Sequence, residues 1–317
     1  MFDIIGDIHG HADALERLLR ALGYRYRNGA WRFPGRTRRA VFVGDFIDRG
    51  PDIRRTVEIA QRMLDHDTAW AVMGNHEYNA LLWHTLDSEG SWLRRHDAVH
   101  FAQHAATLHQ YHQDPRALNE LLQWIVTLPL FLEHDSFRVV HAAWDERAIA
   151  DVRATPCATA DHDFLERSAV AGFRESAIAE HLFKGVEIPI PQGFWYRDKE
   201  GTPRYKTRTR WWIDPAEQAL LRERHGTITM GMVAMPPADR ELAELPLEST
   251  ALAHLPGYHD PRPVFVGHYW LTGVPAPFTD RIACVDYSIA RRGSLCAYRF
   301  DGELPLTADR FLCVTAD

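Results

Sequence analysis

Apolar positions in the first 80 residues follow two alternating periods. Phe2-Asp3-Ile4-Ile5, Ala40-Val41-Phe42-Val43 and Ala69 to Met73 are short apolar runs bounded by turn residues, which predicts three buried strands. Between the first two, Leu15, Leu18, Leu19 and Leu22 recur at helical spacing, with Gly23 behind them as a C-terminal cap. Between the second and third, Ile53, Val57, Ala60 and Leu64 repeat the pattern after Pro51, which opens a helix. Asn28-Gly29 separates two short segments, Tyr24 to Arg27 and Ala30 to Phe33, and both residues tolerate positive φ, so a tight hairpin is expected there.

From about 80 to 135 the pattern predicts a helical insertion, clearest where Leu118, Leu121, Leu122 and Ile125 form one stripe that stops at Pro129. Strand character returns at Phe137 to Val140. Residues 150–260 carry little period, apart from helices near 161–184 and 215–225 and loops at Pro236-Pro237 and from Pro256 to Pro263. Val264-Phe265-Val266, Ile282 to Val285 and Ser294 to Phe300 are then expected to complete the sheet begun at the start. Strand, helix, strand, helix, strand is the order of an α/β fold with parallel pairing, in one domain over 1–317.

Composition narrows the function classes. No uncharged apolar run approaches the ~18 residues of a membrane helix, and the chain enters its first strand directly after Met1, so neither anchoring nor secretion is expected. A net charge of −7 argues against broad nucleic-acid binding, although eight arginines lie between Arg17 and Arg39. Cys157, Cys284, Cys296 and Cys313 stand far apart without a Cys-x-x-Cys, which suits the cytoplasm and predicts neither a disulfide framework nor a thiolate metal site. Histidine is unusually frequent, at 18 residues.

Where those histidines and the acids fall is more telling. Each of the first three strands runs into a glycine-containing turn: Gly6-Asp7-Ile8-His9-Gly10, Gly44-Asp45-Phe46-Ile47-Asp48-Arg49-Gly50, and Gly74-Asn75-His76-Glu77. Two later strands end on His141 and on Gly267-His268. Strand ends at the carboxyl edge of an open sheet form one crevice, so the five turns should converge. Carboxylate, amide oxygen and imidazole together suit a pair of divalent cations, most naturally Mn, with Fe or Zn possible. A shared carboxylate, for which Asp45 is the candidate, would hold them ~3.5–4 Å apart for in-line displacement at phosphorus.

These five blocks, in this order from residue 6 to 268, resemble the calcineurin-like metallophosphoesterases. The likeness is to the branch of phosphoprotein phosphatases and symmetrical bis(5'-nucleosyl)-tetraphosphatases. The resemblance implies a sandwich of two mixed β-sheets flanked by helices and a dinuclear site. Asp7, His9 and Asp45 would hold one metal; Asp45, Asn75, His141 and His268 the other. It makes His76 the proton donor to the leaving oxygen, Asp48 its orienting partner, and Arg49 the grip on phosphate oxygens; the nucleophile would be a metal-bridging hydroxide, without a phosphoenzyme. The family's second phosphate-binding arginine has no clean counterpart; Arg210 is the first choice and Arg208 the alternative. His141-Ala142-Ala143 stands where His-Gly-Gly is usual, and Met73 precedes the third motif where protein phosphatases often have Arg.

Two substrates fit this reading. Phosphomonoesters, including phosphoserine or phosphothreonine in proteins, are favoured by the retained Asp48; dinucleoside tetraphosphates are favoured by the look of Leu121 to Leu132, His141-Ala142 and Gly267 to Arg299. A noncatalytic phosphoprotein-binding scaffold would be signalled by loss of a ligand or of His76 and Asp48, and all are present. His96, His100 and His104 sit at i, i+4 and i+8, either a third metal site or a solvated or lid-lining helix face. Trp195, Trp211 and Trp212 either stack a nucleobase or anchor the insertion.

Overall fold

The computed structural model describes residues 1–154, 159–197, 201, 203–235 and 240–316. Cys157 and the Pro236-Pro237 loop lie outside them.

Apolar alternation along β1 (Phe2–Ile5) and β4 (Arg39–Phe42) explains how the first sheet is sandwiched. Ile4, Val41 and Val43 point to one side, into a core shared with Phe137, Val139, Phe265 and Ala283 of the second sheet. Ile5, Ala40 and Phe42 point to the other, beneath helices. That period of two is the strand signature. β1 lies between two partners, parallel to β4 and antiparallel to β15 (Ser294–Phe300). β4 pairs in parallel with β5 (Ala69–Ala71), and β15 pairs antiparallel with β14 (Asp286–Tyr287) and β16 (Phe311–Thr315). Of the three C-terminal strands expected to complete this sheet, only Ser294–Phe300 does so; Val264–Val266 and Ile282–Cys284 join the second sheet instead, because apolar runs this short do not say which sheet they enter.

In the second sheet, β6 (Phe131–Glu133) pairs antiparallel with β7 (Arg138–Val140), and β12 (Val264–Val266) is parallel to both β7 and β13 (Ile282–Cys284). Both sheets are mixed, and they face each other across the apolar layer; the architecture is the two-sheet α/β sandwich expected from the sequence.

Helices α1 (Ala12–Ala21) and α2 (Ile53–Asp65) bury Leu15, Leu18, Leu19, Val57 and Ala60, the stripes read from the sequence. Gly23 ends α1 with φ of +94° and donates its N–H to Arg20 O at 2.9 Å. Asp52, not Pro51, caps α2 by accepting the Arg55 N–H. β2 (Arg25–Arg27) and β3 (Ala30–Arg32) form the expected hairpin, with Asn28 at φ 51° and Gly29 at 84°.

The 80–135 segment is helical only in part. It holds the end of α3 (Asn75–His84), all of α4 (Ala98–Tyr111) and α5 (Pro115–Val126), but then β6, whose three residues are too few to show a period. Beyond β7 come α6 (Glu146–Arg153), α7 (His162–Ser168), α8 (Arg174–Ala179) and α9 (Pro215–His225). Two short strand pairs lie between α8 and α9: β8 (Glu187–Pro189) with β11 (Lys206–Arg208), and β9 (Tyr196–Arg197) with β10 (Pro203–Arg204).

One expectation fails outright. Cys296 and Cys313 face each other across β15 and β16 and form a disulfide. Their separation of 17 residues is silent about it, because pairing depends on strand register, which spacing along the chain does not reveal. No helix among the described residues is long and apolar enough to cross a membrane.

Candidate metal centre and catalytic residues

The five turns converge. Asp45 is common to two clusters, His9 with Asp45 and His76, and Asp7 with Asp45 and His141, each offering donor atoms within 4.8 Å of one another. Asp45 Oδ2 stands 3.5 Å from His9 Nε2 and 3.5 Å from His141 Nε2. Asn75 Oδ1 lies 3.0 Å from His141 Nε2 and 2.7 Å from His268 Nδ1. Asp7, His9, Asp45, His141 and His268 are all buried.

Backbone carbonyls set the imidazoles. His9 Nδ1 is 2.9 Å from Ile47 O and His141 Nδ1 is 2.7 Å from Val43 O, so each ring gives its Nδ1 proton there and aims Nε2 inward; burial lowers His141, but Asp45 beside its Nε2 outweighs this and pushes the ring up to about 10. Such closeness demands unusual backbone. Among the described residues, ten non-glycine residues have positive φ, and six of them, His9, Asp45, Asp48, Arg49, His268 and Trp270, belong to this rim. Gly74 and Gly267 are the close-approach glycines: a Cβ would stand 2.3 Å from Asp45 Oδ1 at the first and 2.1 Å from Asp7 Oδ1 at the second.

The donor set fits divalent cations on three grounds. Asp7 Oδ1, Asp45 Oδ2 and His268 Nε2 are buried without a hydrogen-bond partner, although buried polar atoms are nearly always paired. Burial, reinforced by neighbouring Asp286 and Asp45, pushes the Asp7 carboxyl well up, so an uncompensated cluster resists carrying all its charges. Burial and the nearby His76 pull His9 down to about 3, which keeps it a neutral ligand.

The catalytic pair is equally direct. His76 Nδ1 lies 2.6 Å from Asp48 Oδ2, which leaves Nε2 free to face the centre, 3.2 Å from an Arg49 guanidinium nitrogen. Arg49 also stacks on Trp270, its Cζ 3.9 Å from the ring centroid, and Arg291 covers the same ring at 4.3 Å.

A model of the calcineurin-like phosphoesterases matches residues 1–167 of this chain. The chain belongs to that family. The motifs at residues 6–10, 44–50 and 74–77 fall inside the match. Among curated proteins it is similar to an asymmetrical bis(5'-nucleosyl)-tetraphosphatase PrpE of Oceanobacillus iheyensis, 42% identical over 74 residues, 23% of this chain and 29% of that protein. The corresponding protein of Halalkalibacterium halodurans is 44% identical over 75 residues, 24% and 30% of the two chains. The chain thus spans less than a third of the length of these relatives. Solved structures similar to it include a cold-active protein-tyrosine phosphatase of a psychrophilic Shewanella (TM-score 0.47, 17% identity, covering 100% of this chain and 80% of that one). A serine/threonine phosphatase of Saccharomyces cerevisiae gives a TM-score of 0.48 at 14% identity, covering 99% and 78%.

Within this phosphoesterase the two candidate arginines part company. The Arg208 guanidinium, after burial itself, is the main influence lowering His268, and its Nε is buried without a partner. Arg210 instead acts on Glu217, and its N–H donates to Val233 O at 2.6 Å. Ala142 and Ala143, where glycines are usual, are fully buried; the Ala142 N–H donates to Leu182 O and its carbonyl accepts from Tyr269.

Other sequence candidates serve elsewhere. Trp211 is fully buried and Trp212 nearly so, the latter stacked on Phe278 at 5.0 Å, so both are core; Trp195 is half exposed. The histidine row does not gather: His96 lies between Trp83 and Trp92, His100 bonds Asp97, and His104 reaches Asp48. Glu77, which sequence reading passed over, accepts backbone N–H groups from Asp45, Phe46, Ile47 and Gly74. Only its place in Gly-Asn-His-Glu could have pointed to it.

Proposed function

We propose that this phosphoesterase hydrolyses phosphomonoesters whose leaving group is a poorly stabilised alkoxide, such as phosphorylated serine or threonine. The observation that carries the reading is the His76–Asp48 pair, with Nδ1 on the carboxylate at 2.6 Å and Nε2 toward the centre. An alkoxide needs a proton as it departs, whereas a nucleotide phosphate leaves without one, so a retained proton donor favours the ester.

In this reading Asp7, His9 and Asp45 hold one cation and Asp45, Asn75, His141 and His268 a second, most naturally Mn. Bound there, the two ions would neutralise phosphate oxygens and acidify a water for attack near neutral pH. Arg49 aligns the phosphate with paired N–H donors, and its stacking on Trp270 limits its freedom to swing away. To donate, His76 must carry a proton on both ring nitrogens: the Nε2 proton goes to the leaving oxygen, while Asp48 accepts the Nδ1–H, balances the imidazolium charge and fixes the direction of the ring. Arg208 is the second phosphate contact. The reading is of soluble phosphorylated substrates rather than membranes or nucleic acid.

A second reading, hydrolysis of dinucleoside polyphosphates, is favoured by Arg291, which lies over the Trp270 ring as Arg49 does and adds positive charge to the rim. The names carried by the partial relatives point the same way.

The test compares para-nitrophenyl phosphate, a phosphoserine peptide and diadenosine tetraphosphate on one Mn-loaded preparation, wild type and His76→Asn. The proposal expects His76→Asn to lose ~10²–10⁴-fold on the phosphopeptide and far less on para-nitrophenyl phosphate. Equal losses, or a marked preference of the wild type for diadenosine tetraphosphate, would overturn it.

A further inference from the structure

Helix α4 carries two side chains that the reaction as described does not use, and both end on Asp48. His104 Nδ1 lies 2.8 Å from Asp48 Oδ1, and Thr107, one turn on, donates its hydroxyl to the same oxygen at 2.5 Å. The Thr107 Oγ1 also accepts the Asp48 N–H at 3.1 Å. His104, Thr107 and Asp48 are all buried.

The proton positions along this chain follow from the neighbours. His84 Nε2 stands 3.3 Å from His104 Nε2, and burial together with the adjacent His104 and His96 draws His84 down to about 4, so His84 is neutral near pH 7. A neutral His84 that gives its Nε2–H to His104 Nε2 leaves His104 with its proton on Nδ1, where it donates to Asp48. Oδ1 then receives two donors from α4 and Oδ2 is left to His76.

A carboxylate can rotate about its Cβ–Cγ bond, and His76 alone would follow it. Asp48 is also held at φ of 66°, a conformation that costs a non-glycine residue free energy and persists only where its surroundings enforce it. The Thr107 hydroxyl on its N–H, together with His104 and Thr107 on Oδ1, is that enforcement.

We propose that His104 is a positioning residue for proton donation: by occupying Oδ1 from the insertion helix, it fixes Asp48 with Oδ2 on His76 Nδ1 and so aims His76 Nε2 at the leaving oxygen. This rests on the reading of His76 as proton donor, and it makes the helical insertion part of the catalytic apparatus as well as a cover. Asn at 104 places an amide N–H close to where Nδ1–H stands, whereas Leu keeps the bulk and removes the donor.

The experiment uses the full chain, loaded with Mn, in five forms: wild type, His104→Leu, His104→Asn, His76→Asn, and His104→Leu combined with His76→Asn. His104→Leu should lower kcat on an alkyl phosphate by about 10- to 100-fold while leaving bound metal unchanged, the scale of loss that follows misplacement of a reacting group. The loss should shrink on para-nitrophenyl phosphate, largely recover in His104→Asn, and vanish against a His76→Asn background. In the metal-free chain, the downfield proton resonance of His76 Nδ1–H should shift or broaden in His104→Leu and stay in place in His104→Asn. Equal losses on both substrates, additivity with His76→Asn, or an unmoved resonance would overturn the proposal. If His76→Asn itself shows no leaving-group dependence, the functional reading falls, and the resonance alone decides whether His104 positions the Asp48–His76 pair.

Discussion

Glu77 Oε2 accepts the backbone N–H of Asp45 at 2.7 Å, so the helix that carries Asn75 and His76 also fixes the turn that carries Asp45, Asp48 and Arg49. Phe46, Ile47 and Gly74 donate to the same carboxylate, and Glu77 is fully buried. Glu77→Gln keeps the size but turns an amide donor toward a group of donors. It should cost about 1–3 kcal/mol, the penalty of leaving a buried N–H unsatisfied, and weaken metal retention. Urea midpoints and metal content after dialysis check this; no change in either would show that the loop holds its shape unaided.

Asp45 stands between His9 and His141 at 3.5 Å from each. Asp45→Asn should therefore abolish loading at both cation positions, whereas Asp7→Asn should spare the one built on Asn75, His141 and His268. Metal per chain by elemental analysis distinguishes the two. One ion retained by Asp45→Asn would remove Asp45 from the shared role.

Trp211 is fully buried, 6.1 Å from Tyr258 and edge-on to Trp212. Trp211→Ala should destabilise by about 3–5 kcal/mol through the cavity it leaves, and should affect every substrate alike. A selective loss of kcat/KM on diadenosine tetraphosphate, with stability intact, would restore it as a base-stacking residue.

Arg208→Ala should lower kcat/KM by roughly 10- to 100-fold, corresponding to the ~1.5–3 kcal/mol of a hydrogen bond to a charged group. Arg210→Ala should change it little, because Arg210 acts on Glu217. Parallel kinetics of the two variants decide; the reverse order would return the phosphate contact to Arg210.

Burial alone would raise the Asp48 carboxyl, but hydrogen bonds from His104 and His76 outweigh it and hold the group well below the usual carboxylate range. A depressed folded pKa contributes stability that is full above the unfolded value of ~3.9 and is lost as pH falls below it. Wild type should therefore lose stability more steeply than Asp48→Asn between about pH 5 and pH 2. Urea midpoints across that range test the sign, and parallel curves would show that Asp48 adds nothing to acid sensitivity.

Much of this molecule was legible along the chain. Short apolar runs at Phe2–Ile5 and Arg39–Phe42, bounded by turn residues, and leucines at helical spacing in Ala12–Ala21 point to strand, helix, strand, because each short run has the length of a buried strand while the leucines share one helical face. Glycines flanking Asp7, Asp45 and Asn75 mark turns that bring backbone close to a charged centre, which is local chemistry and so survives in sequence. What needed the tertiary structure is whatever depends on contact between distant residues. Cys296 meets Cys313 through strand register; Trp211 is enclosed by residues from elsewhere in the chain; the Arg208 guanidinium acts on His268; and His104 reaches Asp48, 56 residues away. A side chain's spacing tells which face of its own element it occupies, but only packing against another element decides what that face meets.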